Sequence, residues 1–131
     1  MSSQFELSVI RKGGVIIMEE NAPKRVIEES VPGKQVTLAH VIASPIPEVY
    51  ESLGIEAEGA IGILTISPVE AAIIAADVAG KSAGINVGFL DRFTGSVLIN
   101  GDVQSVEVAL KAVVTILKEK LNYDIVPVSR T

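Results

Sequence analysis

The sequence has 131 residues and a mass of 13.8 kDa, which fits one compact domain and leaves no room for two. Apolar residues make up 48% and charged residues 21%, which excludes a wholly disordered chain, and the lack of any Cys excludes disulfide scaffolds, thiolate metal sites and cysteine catalysis. A net charge of -5 and a pI near 4.8 point away from nucleic acid and anionic membranes, both of which need a basic surface.

The first 34 residues carry five acids and five bases, so the remaining eleven acids and six bases account for the whole net charge. The longest apolar run in this part, Val15 to Met18, is too short for a signal core and is followed at once by Glu19 and Glu20. No stretch approaches the roughly 20 apolar residues of a membrane span. A cytoplasmic location is expected. Punctuated by Lys12-Gly13-Gly14 and Pro32-Gly33, residues 1–34 read as an extension with short strands at Phe5–Arg11 or Val15–Glu19 and then at Arg25–Val31.

Gln35–Ala43 follows as a strand, with Val36, Leu38, His40 and Ile42 on one face and Thr37, Ala39 and Val41 on the other. Ser44-Pro45 predicts the start of a short helix that Gly54 closes. Ala60–Ile66 reads as a second strand. Ser67-Pro68-Val69-Glu70 then supplies the cap, proline and glutamate of a capping box, predicting a helix to about Ala83. One face of that helix is built from small residues, Ala71, Ala72, Ala75, Ala76, Ala79, Gly80 and Ala83, which allow close approach to a sheet or to another subunit. Strands at Ile85–Asp91 and Ser96–Asn100 flank a short turn. Asp102 caps a last helix to about Asn122, whose apolar stripe runs Val106, Ala109, Leu110, Val113, Val114, Leu117 and Leu121. The tail Tyr123–Thr131 is expected to be extended, with Pro127 limiting its pairing.

From Ala60 onward the order is βαββα, one closing strand short of a ferredoxin-like sandwich. Gln35–Ala43 can supply that strand from in front. The expected fold is α+β: a circularly permuted ferredoxin-like domain over 35–131, an antiparallel sheet with helices on one side, preceded by a β extension over 1–34. The mean hydropathy of +0.45 is high for so small a chain, which implies apolar surface buried between subunits.

Catalytic motifs fail on inspection. Gly33-Lys34-Gln35 lacks both the upstream glycine of a P-loop, where Glu28 stands, and the Ser/Thr that holds magnesium. His40 is the only histidine, which removes most zinc sites and weakens any serine triad. The pairs Glu19/Glu20 and Glu28/Glu29 occupy neighbouring strand positions that face opposite ways, unsuited to two-carboxylate chemistry. No enzyme, cofactor or metal site is expected.

Three stretches together resemble one family: Val31 to His40, Ala60 to Ile66 with the alanine helix after it, and Gly88 to Gly95. They are similar to the circularly permuted, single-domain BMC shell proteins of bacterial microcompartments, of the ethanolamine-, propanediol- and choline-utilisation type. The resemblance covers about residues 25–131. It implies a structural shell protein that forms cyclic hexamers and tiles a microcompartment shell. It also implies that Arg25, Val26, Ile27, Glu28, Glu29, Ser30 and Val31 form one strand of a parallel β-barrel over the hexamer centre. The loop Asp91, Arg92, Phe93, Thr94 and Gly95 would lie near the axis, and Lys81 along the hexamer edge. Lys81 also stands four residues after Asp77, the spacing of an intrahelical ion pair. Expected partners are further copies of the chain, other shell proteins and the enclosed enzymes, with no nucleic acid and no membrane. The alternative function is a regulatory ferredoxin-like module that binds a small metabolite between subunits.

Overall fold

The computed structural model describes residues 7–12, 15–20 and 33–131, and the expected barrel strand Arg25–Val31 lies outside them. In chain order the elements are β1 (Leu7–Lys12), β2 (Val15–Glu20), β3 (Gln35–Ile42), α1 (Pro47–Leu53), β4 (Ala60–Ser67), α2 (Ala72–Ser82), β5 (Asn86–Asp91), β6 (Ser96–Gly101), α3 (Val103–Leu121) and β7 (Ser129–Arg130). β1 and β2 pair antiparallel as a two-stranded sheet of their own, from Leu7 opposite Glu20 to Lys12 opposite Val15.

The other five strands form one sheet in the order β5-β6-β4-β3-β7. β3 with β4, β4 with β6 and β6 with β5 are all antiparallel. Helix α2 therefore carries the chain from β4 to the parallel strand β5, with β6 inserted between them. The strand in the matching position two places from β6 is β3, which arrives from the N-terminal side of the domain. That is a ferredoxin-like sheet with its closing strand moved to the front.

Both long helices cover one face. Ala71 of the turn before α2 and Ala72, Ala75 and Ala79 of α2 itself bury its small-residue side, and Val106, Ala109, Leu110, Val113, Val114 and Leu117 bury the predicted stripe of α3. They pack on Val36, Ala39, Val41, Leu64, Ile66, Val97 and Ile99 of the sheet. Asp102 caps α3 as expected, its carboxylate accepting from the Ser105 N–H at 3.0 Å and the Ser105 hydroxyl at 2.8 Å. Asn122 closes the helix in the left-handed conformation, at φ 60°.

The strand and helix starts differ from the sequence expectation in three places. A bulge between Val36 and Leu38 adds one residue to β3. It turns Val36 away from Leu38, His40 and Ile42 and into the core with Ala39 and Val41. The capping box at Ser67 does not form: Ser67 is still extended, paired with Gln35 at the end of β4. Residues Val69–Ala71 make a 3-10 turn, and α2 starts at Ala72 with no side-chain cap. In α1, Pro47 rather than Pro45 takes the first helical position, and Ile46 precedes it without a capping hydrogen bond.

The tail runs alongside β3 in parallel. Val36 N–H donates to the Asp124 carbonyl at 2.8 Å, Asp124 N–H to the Lys34 carbonyl at 3.0 Å, and Thr131 N–H to the Val41 carbonyl at 2.8 Å. Pro127 falls in the stretch between these contacts, where no donor is required.

The tightest approach between layers is at Gly62 on β4. A Cβ there would stand 2.7 Å from Val106 Cγ1 of α3 and 2.9 Å from Ile99 Cγ1 of β6. Both neighbours are β-branched and stiff, so neither can swing aside. Gly62→Ala is expected to lower stability by about 1–3 kcal/mol through overpacking, read as a lower midpoint in chemical denaturation. An unchanged midpoint would show that α3 tolerates displacement from β4.

Candidate functional site

Surface rather than a cleft carries the features that stand out. His40, the only histidine, has both ring nitrogens engaged, Nδ1 2.6 Å from Ser129 Oγ and Nε2 2.8 Å from Thr131 Oγ1, and so fastens the tail to β3. Among the described residues no group of three or more His, Cys, Asp or Glu is placed to hold a metal, and no helix is long and apolar enough to cross a membrane.

The turn between β5 and β6 is a rigid projection. Asp91 Oδ1 accepts from the Phe93 N–H and Oδ2 from the Thr94 hydroxyl, both at 2.9 Å. The Gly95 N–H donates to the Asp91 carbonyl at 2.9 Å, and Gly95 takes a φ of 78°. A side chain at Gly95 would run into the Ile66 carbonyl, so glycine is required twice over. These bonds leave Arg92 and Phe93 at the tip, the guanidinium 5.2 Å from the ring centroid, with Phe93 80% exposed. All five residues of the expected axial loop thus form one ordered unit. The Phe93 backbone N–H first, then the Thr94 hydroxyl, hold the Asp91 carboxyl below the usual carboxylate range.

Beside this tip lies an apolar patch that sequence reasoning did not assign. Ile73 on α2 and Phe89 and Leu90 on β5 are each 39–49% exposed and share a hollow with Arg92 and Phe93. The clue available in the sequence was Ile73-Ile74, two large apolar residues off the alanine face. β5 is also an outer strand, paired with β6 on one side alone.

A second apolar feature lies on the sheet face opposite α2 and α3. Among the described residues, α1 and the connection after it cover this face, with Tyr50 buried against Ile61 and Leu98, its hydroxyl donating to the Gly59 carbonyl, and Ile55 packed beside them. Between α1 and the sheet remains a groove of about 470 Å³, walled chiefly by Ile42, Val49, Leu53, Ile61, Ile63, Phe89 and Leu98.

Lys81 is in the last turn of α2, with its side chain 76% exposed and its Nζ 2.8 Å from Asp77 Oδ2. The intrahelical pair forms within one subunit, in a solvated setting where such a pair contributes little. Lys81 and the Asp91–Gly95 turn lie at opposite ends of β5, since the chain enters β5 directly after α2 and leaves it at Asp91.

Comparison with known proteins places these features in context. A family model described as BMC domain matches residues 60–129. The bacterial microcompartment shell protein CutR of Streptococcus intermedius is 56% identical over 107 residues, which are 82% of this chain and 92% of that protein. The bacterial microcompartment shell protein PduU of Salmonella typhimurium is 54% identical over 108 residues, 82% of this chain and 93% of that protein. Among solved structures, a CutR flat hexamer is similar at a TM-score of 0.75 and 55% identity, covering 82% of this chain and all of that one. A CutR screw of 41.9 Å pitch gives a TM-score of 0.74 at 54% identity, covering 76% of this chain and all of that one.

The turn geometry yields a pH dependence. A carboxyl held below its unfolded value adds stability that is present above about pH 4 and is lost as pH falls through the folded value. Asp91→Asn keeps the acceptor for the Phe93 N–H but removes the titration. Its thermal midpoint should therefore fall less than that of the native chain between pH 5 and pH 2.5, followed by circular dichroism. An equal fall would mean that the Asp91 hydrogen bonds contribute no stability.

Proposed function

The chain belongs to the BMC-domain family of bacterial microcompartment shell proteins, and on that premise we propose that it is a hexameric shell tile whose centre is closed by the Arg25–Val31 strands of its copies. The role is structural. The observation that carries the hexamer is the apolar patch formed by Ile73 of α2, Phe89 and Leu90 of the outer strand β5, and Phe93 of the turn after it. Exposed apolar side chains are costly in water and an open strand edge is a template for pairing with another chain, and a ring of copies covers both without leaving a free edge. Heterologous contacts of this kind close into a ring when the rotation fits and into a helical filament when it does not. CutR, solved both as a flat hexamer and as a screw, is a relative in which both outcomes occur.

The barrel follows from a similar constraint. A strand of seven residues cannot be stable alone in water, since its backbone groups need partners. Six copies around an axis supply those partners to one another. A barrel there would plug the opening, so this tile would not be a wide metabolite pore. In the same arrangement Asp91–Gly95 lies near the axis, and Lys81, at the other end of β5, lies at the hexamer rim against a neighbouring tile. Other shell proteins are its partners in the wall, and the enclosed enzymes face one side of it. The metabolite-binding alternative calls for converging polar groups between subunits, whereas the groove under α1 is walled mainly by hydrocarbon.

Light scattering coupled to gel filtration tests the assembly. The full chain should elute at six times its 13.8 kDa mass, and a 13.8 kDa species at micromolar concentration would contradict the proposal. Deletion of residues 1–31 should leave the domain folded by circular dichroism but loosen or dissociate the ring. Lys81→Asp should abolish sheets and tubes seen by electron microscopy, with the hexamer intact and stability within about 0.5 kcal/mol of the native chain. Unaltered sheets in that variant would return Lys81 to its pairing with Asp77.

A further inference from the structure

The groove between α1 and the sheet is hydrocarbon within and has acidic surroundings. Leu53 of α1 and Phe89 of β5 line it while still 36% and 40% exposed, so it holds apolar area that one subunit leaves to water. Glu48 stands in its wall, and Glu51, Glu56 and Glu58 follow on α1 and the connection to β4. Nothing nearby in sequence balances them: residues 35–80 contain no Lys or Arg, and His40 is engaged by Ser129 and Thr131. A segment that fits must therefore be apolar along its length and positive at one end.

The chain carries such a segment. In the β1–β2 hairpin, three of six residues in β1 and four of six in β2 are Val, Ile, Leu or Met. The four in β2, Val15 to Met18, are consecutive, and successive residues of a strand serve opposite faces, so both faces of the ribbon are apolar in sequence. β1 and β2 form a sheet of their own, and a two-stranded ribbon is at best marginally stable in water without something to pack on. Its turn end is basic, because β1 closes on Arg11-Lys12 before Gly13-Gly14. Its other end carries Glu19 and Glu20. Charge thus gives the ribbon one favoured orientation, turn toward the glutamates of α1. Residues 21–34 join Glu20 to Gln35. Those fourteen residues reach at most about 50 Å, against a radius of gyration of about 13 Å for a domain of this size. The groove of the same subunit, or of an adjoining copy, is within that reach.

We propose that the groove under α1 is the docking site of the chain's own β1–β2 hairpin, with Arg11 and Lys12 set against Glu48 and Glu51. The ribbon then covers part of the sheet face that α2 and α3 leave open. The inference stands apart from the shell reading, because the hairpin precedes the strand assigned to the ring centre and needs neither that strand nor the ring.

The chain has no cysteine, so introduced thiols report on this contact alone. Leu53→Cys marks the groove wall, and Ile17→Cys or Met18→Cys marks the hairpin. Adjacent strand positions face opposite ways, so one of the two hairpin positions should lie toward the groove. Mild oxidation of the full chain should link residue 53 to that position, within a chain or between chains, read by peptide mass spectrometry. Ile74→Cys, exposed on α2 across the sheet, is the control and should stay unlinked to both. In Leu53→Cys alone, alkylation by iodoacetamide should quicken about tenfold or more once Arg11→Glu/Lys12→Glu is added, since a covered thiol reacts from the open state. If Leu53→Cys disturbs α1 by circular dichroism, Ser52→Cys in the same wall replaces it. No link to the groove wall from either hairpin position, or equal linking at residues 53 and 74, would overturn the proposal. An alkylation rate indifferent to the charge reversal would overturn it too, and if that rate falls with protein concentration the groove belongs to another face of a second copy.

Discussion

The whole domain depends on how closely two helices can lie on one face of a four-stranded antiparallel core. Gly62 gives α3 its approach, and the alanines of α2 bring that helix down beside it. With few aromatics available, area must come from many small, close contacts, and these are gained only when the layers meet without gaps. The arrangement spends both long helices on one side. Among the described residues, only the short α1 and the connection after it remain for the other, which leaves the hydrocarbon-walled groove there and an outer edge at β5. A subunit built this way is incomplete by itself, and that incompleteness is what suits it to a wall made of copies.

The rearranged order of strands has a consequence for function. With β3 supplying the closing strand from the front, the N-terminal extension enters the sheet at Gln35, beside the returning tail at Asp124. The C-terminus is sealed against β3 by backbone pairing and by His40 between Ser129 and Thr131. The C-terminus is thereby committed to the fold of its own subunit. The hairpin of β1 and β2 belongs to the N-terminal extension, and two strands alone are marginal in water.

Much of this was legible in the chain because its signals were local. The stripe from Val106 to Leu117, the Asp102 cap and the Asn122 stop all depend on helical spacing, and α3 follows them closely. The permutation was legible from element order alone. The misreadings came where a longer-range contact overrode a local rule. Thr37 is the extra residue of a bulge set by its pairing with β4, which strict alternation cannot reveal. Ser67 has the residues of a capping box after it but is held extended by Gln35 across the sheet. The apolar patch at Ile73, Phe89 and Leu90 was missed because its members lie on two elements and meet only after folding.

The central claim is that the β5 edge of each subunit is covered by another copy. Hydrogen exchange followed by mass spectrometry on the native assembly measures this directly at the amides of Asn86–Asp91. If neighbouring copies cover the edge, these amides should exchange slowly in the assembly, and exchange should quicken when dilution or mild denaturant separates the subunits before they unfold. Fast exchange at β5 in the intact assembly, with β4 and β6 still protected, would contradict the account.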